Sequence, residues 1–150
     1  MNRVYLSIGS NIGNREENLK KAIEELKNYG LVISKISSIY NTSPWGFTEQ
    51  EDFLNMALEV YTTLEPLELL KCIKKIEKNL GRTDTIKYGP RIIDIDIIFY
   101  NDLILKSKEL IIPHPLMHER YFVLKPLSEI APDFVHPEIG LTVQKLLEKL

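Results

Sequence analysis

The spacing of apolar and polar residues changes several times along the chain, and each change marks an element. Val4-Tyr5-Leu6-Ser7-Ile8 alternates, which puts Val4, Leu6 and Ile8 on one face of a first strand. Residues 9–15 (GSNIGNR) form a turn-rich loop. Asn14 is placed to cap a helix reaching about residue 30, with Leu19, Ala22, Ile23 and Leu26 in one stripe and Gly30 as the stop. A second strand is predicted over about 31–40. Residues 41–52 (NTSPWGFTEQED) have no period and contain Pro44 and Gly46, which predicts a loop. From 53 to 62 the alternation returns, with Leu54, Met56, Leu58 and Val60 on one face and Phe53, Asn55 and Ala57 on the other. Pro66 suits the first turn of a second helix, whose stripe is Leu69, Ile73, Ile76 and Leu80 and whose end is Gly81. Residues 82–89 form a polar loop.

The most apolar run follows, Arg91-Ile92-Ile93-Asp94-Ile95-Asp96-Ile97-Ile98-Phe99-Tyr100, and it carries two carboxylates near its middle. On a strand, Ile93, Ile95, Ile97 and Phe99 point one way, and Asp94 and Asp96 the other, roughly 6.6 Å apart at Cα. After a turn at Asn101-Asp102, a short strand at 103–105 continues as a hairpin, and another is predicted at 109–112. Helical turns are expected near 117–120 and 124–130. Thr142 is placed to cap a last helix with Val143, Leu146, Leu147 and Leu150 inward.

Strand, helix, strand, strand, helix, strand is the split βαβ order. It predicts an α+β protein with a ferredoxin-like βαββαβ core, a mainly antiparallel sheet, both helices on one face, and a C-terminal hairpin and helices. Ser7, Phe53, Asn55, Asp94 and Asp96 then share the opposite face. No repeat, low-complexity segment or linker interrupts residues 1–150, so one domain is expected. At 150 residues, 44% hydrophobic and 27% charged, the composition is that of a globular chain. A net charge of −2 argues against a general nucleic-acid grip. No apolar run is long enough for a membrane span, and the N-terminus alternates like a strand, so no membrane partner, no signal peptide and a cytoplasmic location are expected. The single Cys72 excludes an intrachain disulfide and a cysteine-built metal site, and packing is its expected role.

Asp94 and Asp96 read either as solvated residues on an open sheet face or as ligands of one or two hard cations such as Mg²⁺. Arg91, just before them, favours the second reading, because cations and an arginine together clamp phosphate. Arg82 and Arg120 by themselves read as surface charges. His114, between Pro113 and Pro115, is a turn histidine or a site residue; His118 and His136 read as structural. Trp45, in a Pro/Gly loop, Phe53, off its strand's apolar stripe, and Phe122 are aromatics between which a planar heterocycle could stack, with Asn55 reading its polar edge. The Gly9-to-Gly13 loop lacks a P-loop ending and reads as a structural turn.

With these residues assembled, the chain resembles the 6-hydroxymethyl-7,8-dihydropterin pyrophosphokinases of folate synthesis, from the first strand to about Pro137. Three blocks carry the resemblance: Gly9-Ser10-Asn11-x-Gly13; Gly89-Pro90-Arg91…Asp94-x-Asp96; and Pro113-His114-Pro115…His118-Glu119-Arg120-x-Phe122-Val123-Leu124, continuing to Glu129-Ile130-Ala131-Pro132. It implies transfer of diphosphate from ATP to the pterin hydroxymethyl group, with AMP released. It implies Asp94 and Asp96 as ligands of two Mg²⁺ that arrive with ATP, and Arg82, Arg91 and His114 as phosphate contacts. Glu77 would lie near the nucleotide, and Leu70, Ile97 and Ile111 would line the adenine pocket. The pterin would stack between Phe53 and Phe122, with Asn55, Thr42, Ser43, Pro44 and Trp45 completing the pocket and Arg120 closing it. The partners are then small molecules, and a monomer is expected.

Some members carry a second arginine where this chain has Asp84, a tryptophan where it has Tyr88 and a tyrosine where it has Pro115; these bear on loop closure and phosphate contact. The loops at 41–52 and 82–89 flank the site and are expected to close over bound ATP. Rival readings are another Mg²⁺-dependent phosphoryl or nucleotidyl transferase, which would not need Phe53 or Asn55, and a non-catalytic ferredoxin-like binding module for RNA or a small regulator, of which two central aspartates disfavour RNA.

Overall fold

A computed structural model describes residues 1–42, 51–81 and 91–150. Strand β1 (Asn2–Ser10) is followed by helix α1 (Arg15–Asn28), β2 (Val32–Ile36), β3 (Tyr40–Thr42), β4 (Phe53–Thr62), α2 (Pro66–Asn79) and β5 (Asp94–Tyr100). A hairpin of β6 (Leu105–Lys106) and β7 (Ile111–Ile112), a 3₁₀ turn at Met117–Glu119, α3 (Tyr121–Ile130) and α4 (Val143–Glu148) complete the chain. The sheet runs β2-β4-β1-β5, with β3 also on β4, and every pairing is antiparallel. That is the ferredoxin-like order. No helix among the described residues is long and apolar enough to cross a membrane.

Local chemistry sets the helix ends. The Asn14 side chain accepts from the Glu17 N–H at 3.1 Å, and Gly30, at φ +87°, takes the left-handed turn that ends the segment. In α2, Pro66 opens the helix and the Glu68 carboxylate reaches back to the Glu65 N–H at 2.9 Å. Leu19, Ala22, Leu26, Leu69, Ile73 and Ile76 from these helices pack on Val4, Leu6, Ile8, Leu54, Met56, Leu58, Val60, Ile93, Ile95 and Ile97 from the sheet.

A second core fills part of the opposite face, where Met117, Val123, Leu124, Leu127, Val143 and Leu146 cover Tyr5, Ala57, Ile98 and Phe99. Phe99 thus lies on the face opposite the one its alternation predicts. The β1–β5 register passes from Leu6↔Ile97 to Tyr5↔Phe99, and the extra residue, Ile98, makes a bulge that reverses the faces beyond it. The C-terminal helices pack elsewhere on this face, and Gly9, Asn55, Asp94 and Asp96 sit at its other end.

Other departures are local. The single strand expected over 31–40 is two strands. Between them, the Ser37 N–H donates to the Ala57 carbonyl and Ser37 Oγ accepts from the Ala57 N–H, which breaks the ladder, and β3 then extends into the expected loop. β1 runs through Gly9 and Ser10. β6 pairs with β7 rather than continuing β5. Thr142 caps α4 as expected, accepting from the Lys145 N–H at 3.1 Å, but Leu150 lies beyond the helix end and is 56% exposed.

Candidate active site

This end of the sheet is organised around Gly9. Its register partners are Asn55 on β4 and Asp94 on β5; the next row on the same face is Ala57, Ser7 and Asp96. Adjacent antiparallel strands lie about 5 Å apart, so Asn55 and Asp94 stand roughly 10 Å from each other across β1.

Asp94 and Asp96 line a cavity of about 320 Å³ between β5, α2 and the β6–β7 hairpin. Leu70, Lys74 and Glu77 come from α2, Ile97 from β5, and Lys108, Glu109 and Ile111 from the hairpin; His114 and Pro115 close one side. The structure therefore brings Leu70, Glu77, Asp94, Asp96, Ile97, Ile111 and His114 together.

Glu77 is 4% exposed and accepts the Ile95 N–H at 2.9 Å. Ile95 stands between the two aspartates, so this bond satisfies a donor on the outer edge of β5 and fixes the backbone that presents both carboxylates. On the same edge, the His114 N–H donates to the Ile98 carbonyl at 3.1 Å. His114 Nδ1 accepts from the Leu116 N–H at 3.2 Å, which leaves the proton of the neutral ring on Nε2. Burial, and after it the Arg120 charge, pushes His114 down to about 4, against the opposing pull of Asp94.

The sign of this shift gives a prediction. Between pH about 6.5 and about 4 the unfolded chain binds a proton here that the folded chain does not, so stability falls as pH falls through that window. Screening in a half-open cavity limits the effect to on the order of 1–2 kcal/mol. His114→Asn keeps an acceptor near the Nδ1 position and loses the titration. Its urea midpoint in metal-free buffer is therefore expected to fall less steeply with acidification than that of the wild type, the remaining slope coming in part from buried His136, which is shifted down in the same direction. Equal slopes in the two proteins would contradict it.

The other expected site residues are not among those that line this cavity, although Arg120 is near enough for its charge to act on His114. Asn55, 3% exposed, donates through Nδ2 to Thr42 Oγ1 at 2.6 Å. Phe53 pairs with Thr42 across the β3–β4 ladder. Arg120 is buried at the start of α3, its guanidinium 5.5 Å from the Phe122 ring centroid. Arg91 precedes β5 and is tied to the loop after β1: its N–H donates to Asn11 Oδ1 at 2.8 Å, and its carbonyl accepts from the Asn11 N–H at 3.0 Å. Ser43, Pro44, Trp45 and Arg82 lie outside the described residues, as do Asp84, Tyr88 and most of the two expected closing loops.

Sequence reasoning missed Lys74, Lys108 and Glu109 in the cavity, and Asn11 as the anchor of Arg91. Lys74 was recoverable, since 70, 74 and 77 share one helix face. Asn11 had no local signal, because its partner is 80 residues away.

The donor set suits Mg²⁺. Two carboxylates on one face supply hard oxygens, and Mg²⁺ characteristically takes one or two carboxylates and completes its shell with phosphate oxygens and water. Among the described residues no group of three His, Cys, Asp or Glu side chains is placed to hold a metal. Fold and cavity together define an α+β protein whose candidate site sets two carboxylates beside Lys74, Lys108 and His114.

Residues 5–132 match the family described as 7,8-dihydro-6-hydroxymethylpterin-pyrophosphokinase (HPPK). The chain is 48% identical over 137 residues to the 2-amino-4-hydroxy-6-hydroxymethyldihydropteridine pyrophosphokinase of Aquifex aeolicus, covering 91% of this chain and 85% of that one. It is 48% identical over 130 residues to the enzyme of the same name from Bacillus subtilis, covering 86% and 78%. It is also 48% identical over 145 residues to the Folic acid synthesis protein FOL1 of Dictyostelium discoideum, of which it spans 22%. Among solved structures, wild-type HPPK-DHPS of Plasmodium falciparum superposes with a TM-score of 0.76 at 19% identity, over 99% of this chain and 44% of that one, which supports the fold alone. The chain belongs to the 7,8-dihydro-6-hydroxymethylpterin-pyrophosphokinase family.

Proposed function

We propose that this chain transfers diphosphate from ATP to the hydroxymethyl group of 6-hydroxymethyl-7,8-dihydropterin in folate synthesis, giving the pterin diphosphate and AMP. The observation that carries the reading is the adjacency of a cavity at the edge of β5, lined by Asp94 and Asp96, and the Asn55–Thr42 pair, with Gly9 between Asn55 and Asp94 in the sheet. Two substrates bound there would meet over β1.

In this reading the pterin hydroxyl oxygen attacks the β-phosphorus, the bond to the oxygen bridging to the α-phosphate breaks, and the hydroxyl proton passes to water. Two Mg²⁺ ions held with ATP by Asp94 and Asp96 would supply charge neutralisation at the phosphate oxygens. Arg91 and Arg82 add fixed positive charge, and His114, neutral with its proton on Nε2, donates to a phosphate oxygen without repelling the cations. Leu70, Ile97 and Ile111 face the adenine, with Glu77 behind them fixing β5. Phe53 and Phe122 sandwich the pterin, and Asn55 and Thr42 hydrogen-bond its edge, with Ser43, Pro44, Trp45 and Arg120 completing the pocket. Positioning and electrostatics suffice for such a transfer, and no covalent protein intermediate is required.

One assay tests it. Protein, ATP, Mg²⁺ and the reduced pterin are mixed and the products separated. AMP and pterin diphosphate are expected in equal amounts; ADP, or no turnover, would overturn the assignment. Omitting Mg²⁺ is expected to stop the reaction.

A further inference from the structure

Glu129 stands in the last turn of α3, away from the nucleotide cavity, and its carboxylate gathers four donor contacts from another part of the fold. The Ser38 N–H approaches both oxygens, at 3.1 Å and 3.0 Å, Ser38 Oγ donates at 3.2 Å, and the Tyr40 hydroxyl donates at 2.6 Å. Ser38 lies in the break between β2 and β3, and Tyr40 is the first residue of β3. From there the ladder runs Tyr40↔Asn55 and Thr42↔Phe53, and Asn55 binds Thr42 Oγ1. The helix that carries Glu129 begins at Tyr121, next to Arg120, and bears Phe122 on its first turn.

The geometry points to Glu129 as a positioning residue of the pterin pocket: it ties the helix bearing Phe122 to the β3–β4 pair bearing Thr42, Phe53 and Asn55, and so sets the gap between the two aromatic walls. This inference rests on the pterin pocket proposed above. Among the described residues β3 spans three positions and pairs only with β4, so the ladder seen there is short. A carboxylate collecting several charge-assisted bonds is the strongest tie available to it. Because Glu129 is exposed, its removal should cost little stability, and the effect should fall on the width of the pocket.

Glu129→Ala is expected to raise KM for the pterin about tenfold, with KM for ATP within about twofold of wild type and the melting temperature nearly unchanged. Glu129→Gln keeps one acceptor oxygen and should fall between. Tyr40→Phe should weaken pterin binding about threefold alone and add nothing in the Glu129→Ala background. An unchanged pterin KM, or pterin and ATP KM values rising together with a loss of stability, would overturn the positioning role. Asn55→Ala, read by direct pterin binding in parallel, separates the two levels. If it weakens binding and Glu129→Ala does not, only the Glu129 role fails; if neither does, the pocket assignment fails and takes this role with it.

Discussion

Asp96→Asn is expected to reduce turnover by about 10³-fold or more while leaving the fold intact. The substitution keeps size and shape and removes one negative charge from the cavity wall. The neighbouring Ile93, Ile95 and Ile97 belong to the helix-side core, and the substitution leaves that packing unchanged. An amide is a poor ligand for Mg²⁺ beside phosphate oxygens, so the loss should appear at saturating ATP and should be only partly relieved by excess Mg²⁺. Asp94→Asn should behave alike, whereas Asp102→Asn, in the turn after β5, should leave activity unchanged. The check is AMP formation under saturating substrates together with a melting curve. Turnover within about tenfold of wild type in a folded Asp96→Asn protein would remove these carboxylates from the chemistry.

The prominence of Asp94 and Asp96 in the sequence has a physical source. Charges placed on alternate positions of an otherwise apolar strand declare both its faces at once, and the helix stripes at Leu19, Ala22 and Leu26 or Leu69, Ile73 and Ile76 are legible for the same reason: burial imposes a local period. What escaped detection depends on contacts distant in sequence. Ile98 bulges because its register with β1 slips, and that reverses Phe99, though nothing within β5 announces it. Ser37 interrupts the second strand through bonds to Ala57, and Glu77 is drawn inward by an Ile95 N–H on another element. In the site, the Asp face could be placed from alternation alone, whereas the ties that hold it, Asn11 to Arg91 and Glu77 to Ile95, required the folded chain. Gly9 belongs to this second group. By sequence it opens a loop; in the structure it lies in β1 between Asn55 and Asp94, at the middle of the candidate site.

That position makes Gly9→Ala the most informative small substitution in the molecule. A Cβ on Gly9 would stand 2.6 Å from Asn55 Oδ1 and 3.5 Å from both Asn55 Cγ and the Leu54 carbonyl oxygen. The backbone cannot yield easily, because Gly9 is paired on both sides, to Asn55 and to Asp94. The Asn55 amide must swing instead, which breaks its 2.6 Å bond to Thr42 Oγ1 in a place where it is almost wholly buried. Overpacking together with a buried polar group deprived of its partner costs roughly 2–4 kcal/mol in such settings. Part of that should appear as lost stability and part as lost recognition. We expect KM for the pterin to rise by about 10–100-fold, since a site built to hydrogen-bond its substrate is left with misdirected polar groups. The cavity proposed to take ATP lies on the far side of Asp94, so KM for ATP should change by less than about threefold. Steady-state kinetics with each substrate varied in turn, beside a urea titration, measures both parts. A pterin KM unchanged in a folded Gly9→Ala protein would mean that Asn55 does not face the pterin, and the partition of the sheet face into a nucleotide half and a pterin half would have to be abandoned.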